Sequence, residues 1–449
     1  MKQERGFFSY VIPSILAFAL SGVYAIVDGF FIGHSVGDVG LSAINIAYPI
    51  TAFIQAVGTG IGMGGAVHYS IADAAGKKER ARSYLAGTMW MLLISSFLLT
   101  ALLQFVTSPL LLSMGAEAET YTLGQEYLLV ISLGSILQVY GTGLTPVLRN
   151  CGSANAAMLS MILGFGTNIL LDYLFIWKWG WGMFGAALAT VIGQGATLLG
   201  EIAFLYRKKQ IYWKFSLKNA GEIFGKIVKI GIAPFGLALT PNFSLILINR
   251  FSADYGGYEA IAVYACISYV ICVAYLIMQG VGDGSQPLIS RYYGENRMRE
   301  AVRIRRMAFA FSLVLSVIFM AVLYLVRWKI GGLLGASDLV SREVGRVFPI
   351  FLLAIPFVAI CRITTASFYA TEKSLLSYIL TYMEPVAMLV FLLFLPRCFG
   401  GQEMVWWSSS LAQILTSLLA MTFLIAAGQR RKKAQAETGH AGKDSEETI

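Results

Sequence analysis

Charge is scarce in this chain. Only 13% of its 449 residues are Asp, Glu, Lys or Arg, against roughly 25% in soluble domains. A soluble chain of this length would divide into about two to four domains, and the charge to wet their surfaces is missing. Histidine is scarcer still: His34, His68 and His440 show no metal-ligand spacing. The five cysteines (Cys151, Cys266, Cys272, Cys361, Cys398) have neither metal nor redox spacing and read as free thiols. No Walker-type phosphate loop occurs, so ATP drive is excluded, and no Ser-His-Asp set is recognisable. These absences argue against an ordinary cytoplasmic enzyme, and a hydrophobic content of 57% argues against intrinsic disorder. No cleavable signal peptide is expected, because the first apolar stretch is too long and lacks a small-residue cleavage site.

What the chain has in quantity is long apolar runs. Twelve stretches reach spanning length: 7–33, 43–70, 85–107, 120–148, 156–178, 183–206, 227–251, 261–289, 307–327, 344–370, 375–396 and 404–428. Each span needs about 20 apolar residues, so twelve use about 240. The expected fold class is an all-α polytopic membrane protein. Of the 34 Lys and Arg, 26 fall in segments on one side of these spans, as at Lys77, Lys78 and Arg80 and at Arg207, Lys208 and Lys209. This positive-inside pattern puts both termini in the cytoplasm, in a cell membrane. It also explains the net charge of +9 without a nucleic-acid partner. The polar segment 429–449 is expected to be a disordered cytoplasmic tail.

The chain repeats at an offset of about 220 residues. Ile12-Pro13 matches Ala233-Pro234, and Val27-Asp28 matches Ile248-Asn249. Gly60 to Gly64 (GIGMG) matches Gly280 to Gly284 (GVGDG), Gly76 with KKERA matches Gly294 with ENRMREA, and Gln194 matches Gln413. Six spans per half give both halves the same orientation, so the repeat is parallel, with a pseudo-twofold along the membrane normal. The expected organisation is an N-terminal six-helix bundle over 1–206, a basic, surface-lying cytoplasmic linker over 207–226 and a C-terminal six-helix bundle over 227–428.

A carboxylate within a span costs several kcal/mol and is a functional candidate by default. Asp28, Asp172, Asp283 and Glu384 qualify; the other acids lie at span ends or in loops and read as solvated. At 1.5 Å per residue, Asp28 and Asp172 each lie roughly 9 Å from the outer end of their spans, and Thr190 roughly 10 Å. Asn168 stands one turn from Asp172, and Ala186 one turn from Thr190. Two carboxylates, an amide oxygen, a hydroxyl and a backbone carbonyl make an all-oxygen site fit for Na⁺, and two close carboxylates can share a proton. The second half carries Asn249 in place of Asp28 and Phe391 in place of Asp172, so cation binding is expected in the first bundle alone. Glu384 either pairs with Arg362 or faces a substrate cavity. Asp283, near Gln279 and Gln286, is a further cavity candidate or snorkels to the inner surface. Pro13 interrupts the hydrogen bonding of span 1 and offers a bend that could move Asp28.

The stretch Val23 to Ile50 (VYAIVDGFFIGHSVGDVGLSAINIAYPI) resembles the first two spans of the MATE family, the multidrug and toxic compound extrusion transporters. Thr167 to Gln194 resembles their spans 5 and 6, and Gln279 to Glu295 the end of their span 8. The resemblance implies a V-shaped antiporter that exports amphipathic, often cationic compounds against an Na⁺ or H⁺ gradient. It places the family's first-bundle cation site on Asp28, Asn168, Asp172, Ala186 and Thr190, and its span 1 proline on Pro13. A branch of the family uses acids in the second bundle, which Asn249 disfavours, and Glu384 has no clear counterpart.

The expectation is therefore a cation-coupled multidrug exporter in the lipid bilayer, a monomer without cofactor beyond its coupling ion. A lipid-linked oligosaccharide flippase is the alternative within transporters; fourteen spans and a basic cavity would favour it. A membrane-embedded enzyme would need metal-binding carboxylate motifs or intramembrane His, and a channel fits poorly with a two-bundle parallel repeat.

Overall fold

The computed structural model describes residues 2–113, 116–214 and 217–444. They form thirteen α-helices: α1 (Lys2–Ser35), α2 (Gly37–Ala74), α3 (Lys78–Ser113), α4 (Ala118–Leu133), α5 (Ser135–Asn150), α6 (Ala154–Asp172), α7 (Gly182–Arg207), α8 (Ala220–Gly294), α9 (Met298–Leu333), α10 (Asp338–Leu352), α11 (Ile355–Tyr369), α12 (Ser374–Phe399) and α13 (Gln402–Asp444). Nine are long and apolar enough to cross a membrane, and two bent pairs, α4–α5 at 60° and α10–α11 at 41°, bring the count to eleven. The twelfth span lies within α8. Its 75 residues would reach about 110 Å if straight, against a hydrocarbon core of about 30 Å. Gly257, at φ 64° and ψ −158°, breaks it into two spans. The structure thus has the twelve expected spans.

Their connections repeat as the sequence does. α2 ends on Gly76 (φ 75°), where the Lys77 amide bonds Ala72 O and the Gly76 amide bonds Asp73 O. This reciprocal closure needs a left-handed residue, which glycine supplies without strain. The same turn follows α8 at Asn296 (φ 57°), with the Arg297 amide on Tyr292 O. Asn296, two residues beyond Gly294, is therefore the structural counterpart of Gly76. The breaks between α4 and α5, at Gly134, and between α10 and α11, at Leu353 and Ala354, also stand at one offset. So do the exposed apolar faces: Phe97, Leu98, Leu102 and Phe105 on α3 recur as Val317, Ile318, Val322 and Leu325 on α9. Such faces belong against lipid tails.

Each half has its own apolar core. One joins α2 to α7, with Ile54, Leu85, Leu92, Leu128 and Ile131 at its centre, and takes in Ile32 of α1 and Ile223 and Ile227 at the start of α8. The other joins the second arm of α8 to α9, α10, α11 and α13 through Ile267, Met278, Val344, Phe348 and Ile355. Two smaller clusters cross between the halves. Phe7 and Val11 of α1 pack on Val281 and Ile289 of α8 and on Ile304 of α9. Met63 and Val67 of α2 pack on Ile230 and Ala233 of α8 and on Tyr369 of α11. The crossings are glycine seams related by the pseudo-twofold. A Cβ on Gly64 would lie 2.1 Å from Ile227 O, and a Cβ on Gly284 would lie 2.7 Å from Val11 Cα. Both seams lie in the half of the molecule that holds the chain ends, called the terminal half below.

Two segments outside the bundles have structure of their own. The connection after α7 has no regular secondary structure over 211–214, then a 3₁₀ turn (Leu217–Asn219), with 215 and 216 outside the described residues. It does not lie free: Trp90 Nε1 donates to Trp213 O at 3.0 Å, and Arg82 stacks over Tyr212. The segment from 429, expected to be disordered, continues α13 as helical backbone to Asp444, and 445–449 lie outside the described residues. Its composition is polar, yet rich in Ala, Gln, Glu, Lys and Arg, all strong helix formers.

Candidate functional site

The first-half polar residues meet where three helices face one another. α1 carries Asp28, α6 ends on Asp172, and α7 carries Thr190. Asp28 and Asp172 lie within electrostatic reach of each other. Asp172 is fully buried, Asn168 nearly so, and Asp28, though partly exposed, has its Oδ1 shielded. Neither oxygen of Asp172, nor Oδ1 of Asp28, nor either polar side-chain atom of Asn168 has a protein hydrogen-bond partner among the described residues. Buried polar groups are normally satisfied, so a cluster of idle oxygens at one depth points to a ligand that supplies the missing contacts. Thr190 Oγ1 donates to Ala186 O at 3.0 Å, so that carbonyl is already engaged from within α7.

Three tyrosines complete the surround, and sequence reasoning missed all three. Tyr24 stands one turn before Asp28, and both it and Tyr127 of α4 lie within electrostatic reach of Asp28 and Asp172. Tyr48 of α2 lies within electrostatic reach of Asp28 on one side and of Cys272 and Tyr269 on α8 on the other. The i,i+4 spacing of Tyr24 and Asp28 was the available signal. A second missed feature is local backbone. Immediately after Asp172 the helix widens into one π turn, Tyr173–Lys178. Such turns are rare and frequent at functional sites, because they re-aim a side chain within a continuous helix. Close packing locks the opposite side: a Cβ on Gly193 of α7 would sit 2.8 Å from Asn168 Cβ.

The remaining candidates lie elsewhere. Pro13 is buried in an uninterrupted α1. It lies roughly 22 Å along the axis from Asp28, between Val11 and Ile15, which the glycines of the seam touch. Glu384 and Arg362 lie in the second half with Arg362 Nη2 3.9 Å from Glu384 Oε2, their side chains 11% and 7% exposed. The pairing that sequence left open is thus the arrangement found. Asp283 does not snorkel. It is buried, its Oδ1 accepts from Tyr369 Oη at 3.0 Å and from Gln279 Nε2 at 2.8 Å, and its Oδ2 lies 3.7 Å from Arg149 Nη1. Asp283 and Gln279 therefore occupy each other rather than standing open to a cavity. Asn249, in the place of Asp28, has an unpartnered Oδ1, while Phe391 packs in an apolar cluster, so the second half has no acidic pair at these positions.

Two sequence readings need correction. Glu201, treated as a solvated acid near a span end, is fully buried and accepts from Thr145 Oγ1 at 2.5 Å. Arg149, counted with the inner loop bases, is 6% exposed. Distance from the end of a span does not reveal burial by neighbouring helices. The five cysteines are unpaired. Among the described residues no three His, Cys, Asp or Glu converge, so the site in the first half is two carboxyls plus neutral oxygens.

The MatE family model matches residues 13–174 and 238–394. The multidrug export protein MepA of Staphylococcus aureus is 25% identical over 421 residues, covering 92% of this chain and 91% of that protein. MepA of Staphylococcus saprophyticus is 24% identical over 439 residues, covering 96% of each. Among solved structures, one of a multidrug resistance MATE family transporter in its outward-facing conformation superposes with a TM-score of 0.88 at 22% identity, covering 95% of each chain. A MATE structure in a bent conformation gives 0.86 at 22% identity, covering 97% of this chain and 96% of that one. With both repeats matched by one family model and the whole chain sharing one fold with these structures, the chain belongs to the MATE family.

Proposed function

We propose that this protein is a cation-coupled antiporter that exports amphipathic, cationic small molecules by alternating access, with Asp28 and Asp172 as its coupling site. One observation carries the reading: two carboxyl groups lie within electrostatic reach of each other in an apolar bundle, and three of their oxygens have no protein hydrogen-bond partner among the described residues. Burying that much negative charge without a cation costs several kcal/mol. A bound Na⁺ or a shared proton removes the cost, with Asn168 and Thr190 supplying neutral oxygens to Na⁺. The export role follows the names of the family relatives, which are multidrug export proteins. The domain boundaries proposed are the two six-helix bundles, 1–206 and 227–428, with the terminal face in the cytoplasm of a cell-membrane monomer. In this orientation the glycine seams close the cytoplasmic face.

Binding of the driving ion and of substrate then bias one conformational equilibrium in opposite directions. The test is transport by purified protein in liposomes loaded with a cationic dye, under an imposed Na⁺ gradient, an imposed pH gradient, or neither. Gradient-dependent dye movement with one ion supports the reading and names the ion. Dye movement that ignores both gradients would sink it.

A further inference from the structure

The terminal half holds charges that the coupling site does not use. Arg149, at the end of α5 in the first half, meets Asp283 on α8 in the second, and this buried ion pair crosses between the halves. Beside it Asn150 Nδ2 donates to Gln286 Oε1 at 2.9 Å, and Gln286 Nε2 returns a bond to Asn150 Oδ1 at 3.2 Å. Asp283 is held by its own half as well, through Tyr369 and Gln279. Tyr369 and Arg149 stand one repeat offset apart, so the two equivalent positions converge on one carboxylate.

Arg149 is not fully matched by this partner. Its Nε has no hydrogen-bond partner among the described residues, and neither has Oε2 of Glu201 on α7. Glu201 belongs to the same half as Arg149 and lies within its electrostatic reach. Its other oxygen is anchored to Thr145, one turn before Arg149 on α5. Helical side chains lean toward the N-terminus of their helix, so a long side chain at 149 covers the level of Thr145, about 6 Å back along the axis. A buried guanidinium and a buried carboxyl group, each with an idle polar atom, stand within electrostatic reach of each other in one half.

We propose that Arg149 exchanges partners during transport: Asp283 of the opposite half holds it while the terminal face is closed, and Glu201 of its own half receives it when the face opens. The proposal rests on the alternating-access reading above. Parting the halves takes Asp283 away, and an uncompensated buried guanidinium would oppose that step strongly. Glu201 gives the charge a second partner. Asp283 keeps its bonds from Tyr369 and Gln279 in either state. Arg149 is thus a positioning residue: it contacts neither the coupling pair nor a substrate, and it sets the balance between the two conformations.

The test measures distances across the terminal face in full-length protein in lipid nanodiscs. Spin labels are placed at exposed Lys77 and Arg299, each replaced by Cys, after the five native cysteines are changed to Ala. In this background the reference protein should show a short and a long distance, their ratio responding to a cationic dye. Asp283→Asn should raise the open population and Glu201→Gln should lower it, each by on the order of tenfold in the ratio, as expected for one charge-assisted hydrogen bond. Opposite signs are the signature of exchange, since a merely structural role would move both variants the same way. Should Glu201→Gln fail to yield folded protein, Glu201→Asp keeps the charge with a shorter reach and should lower the open population to a smaller degree. Shifts of equal sign, or none, in a reference protein with two populations would overturn the exchange alone. A single distance in the reference protein, whatever is added, would overturn alternating access and the exchange with it.

Discussion

At the scale of single residues, idle buried oxygens are the most informative feature of this molecule. Hydrogen bonding within a folded chain is nearly complete, so a buried carboxyl group without a hydrogen-bond partner points to a contact supplied from outside the chain. Asp172 meets that condition with both oxygens, and Asp28 with one. Asp28→Asn or Asp172→Asn should therefore reduce ion-driven export to the level of empty liposomes. Either variant should leave the unfolding temperature unchanged or raised, because the amide removes charge without removing a bond to the protein. A loss of stability matching the loss of export would instead mark these acids as structural. Arg362 and Glu384 should behave oppositely, since each has the other at 3.9 Å. Arg362→Met alone should destabilise the protein by about 3 to 5 kcal/mol, and adding Glu384→Met should recover most of that, both read by thermal unfolding in detergent. These contrasts also explain what was legible beforehand. Asp28, Asp172 and Thr190 could be aligned because their depth in a span is a one-dimensional quantity. Tyr127 and Glu201 could not, because their roles depend on which helix packs against which.

At the scale of elements, glycine spacing does what long side chains cannot. GIGMG and GVGDG let backbones of opposite halves touch on both sides of the pseudo-twofold. A methyl group on Gly64 meets the Ile227 carbonyl, which is backbone and cannot rotate away. Gly64→Ala should cost the closed terminal face about 1 to 3 kcal/mol, and the long distance between labels at positions 77 and 299 should come to dominate. Unchanged distances would mean that the seam does not set closure. The repeat that carries these glycines was readable from sequence because it lies in residue identity, but their role as a seam was not. The breaks at Gly134 and at Leu353 and Ala354 were not, since the apolar runs 120–148 and 344–370 pass through them without a change in composition. The π turn after Asp172 was likewise invisible, because it alters hydrogen-bond register and not hydropathy.

At the scale of the whole molecule, two similar halves carry dissimilar chemistry. The first half holds the Asp28 and Asp172 carboxyls; the second places Asn249 and Phe391 at those positions and pairs Glu384 with Arg362. On the proposed reading, a symmetric scaffold with an asymmetric charge set needs only one half to sense the ion. The most direct test compares two modes of transport in the same liposomes, using the Asp28→Asn, Asp172→Asn double variant. One mode is dye accumulation driven by an Na⁺ or pH gradient; the other is exchange of labelled for unlabelled dye with no gradient. The expected result is loss of accumulation with exchange retained, because the substrate path survives and only its coupling is removed. Accumulation at the wild-type rate in the double variant would contradict the assignment and place the coupling site elsewhere in the chain.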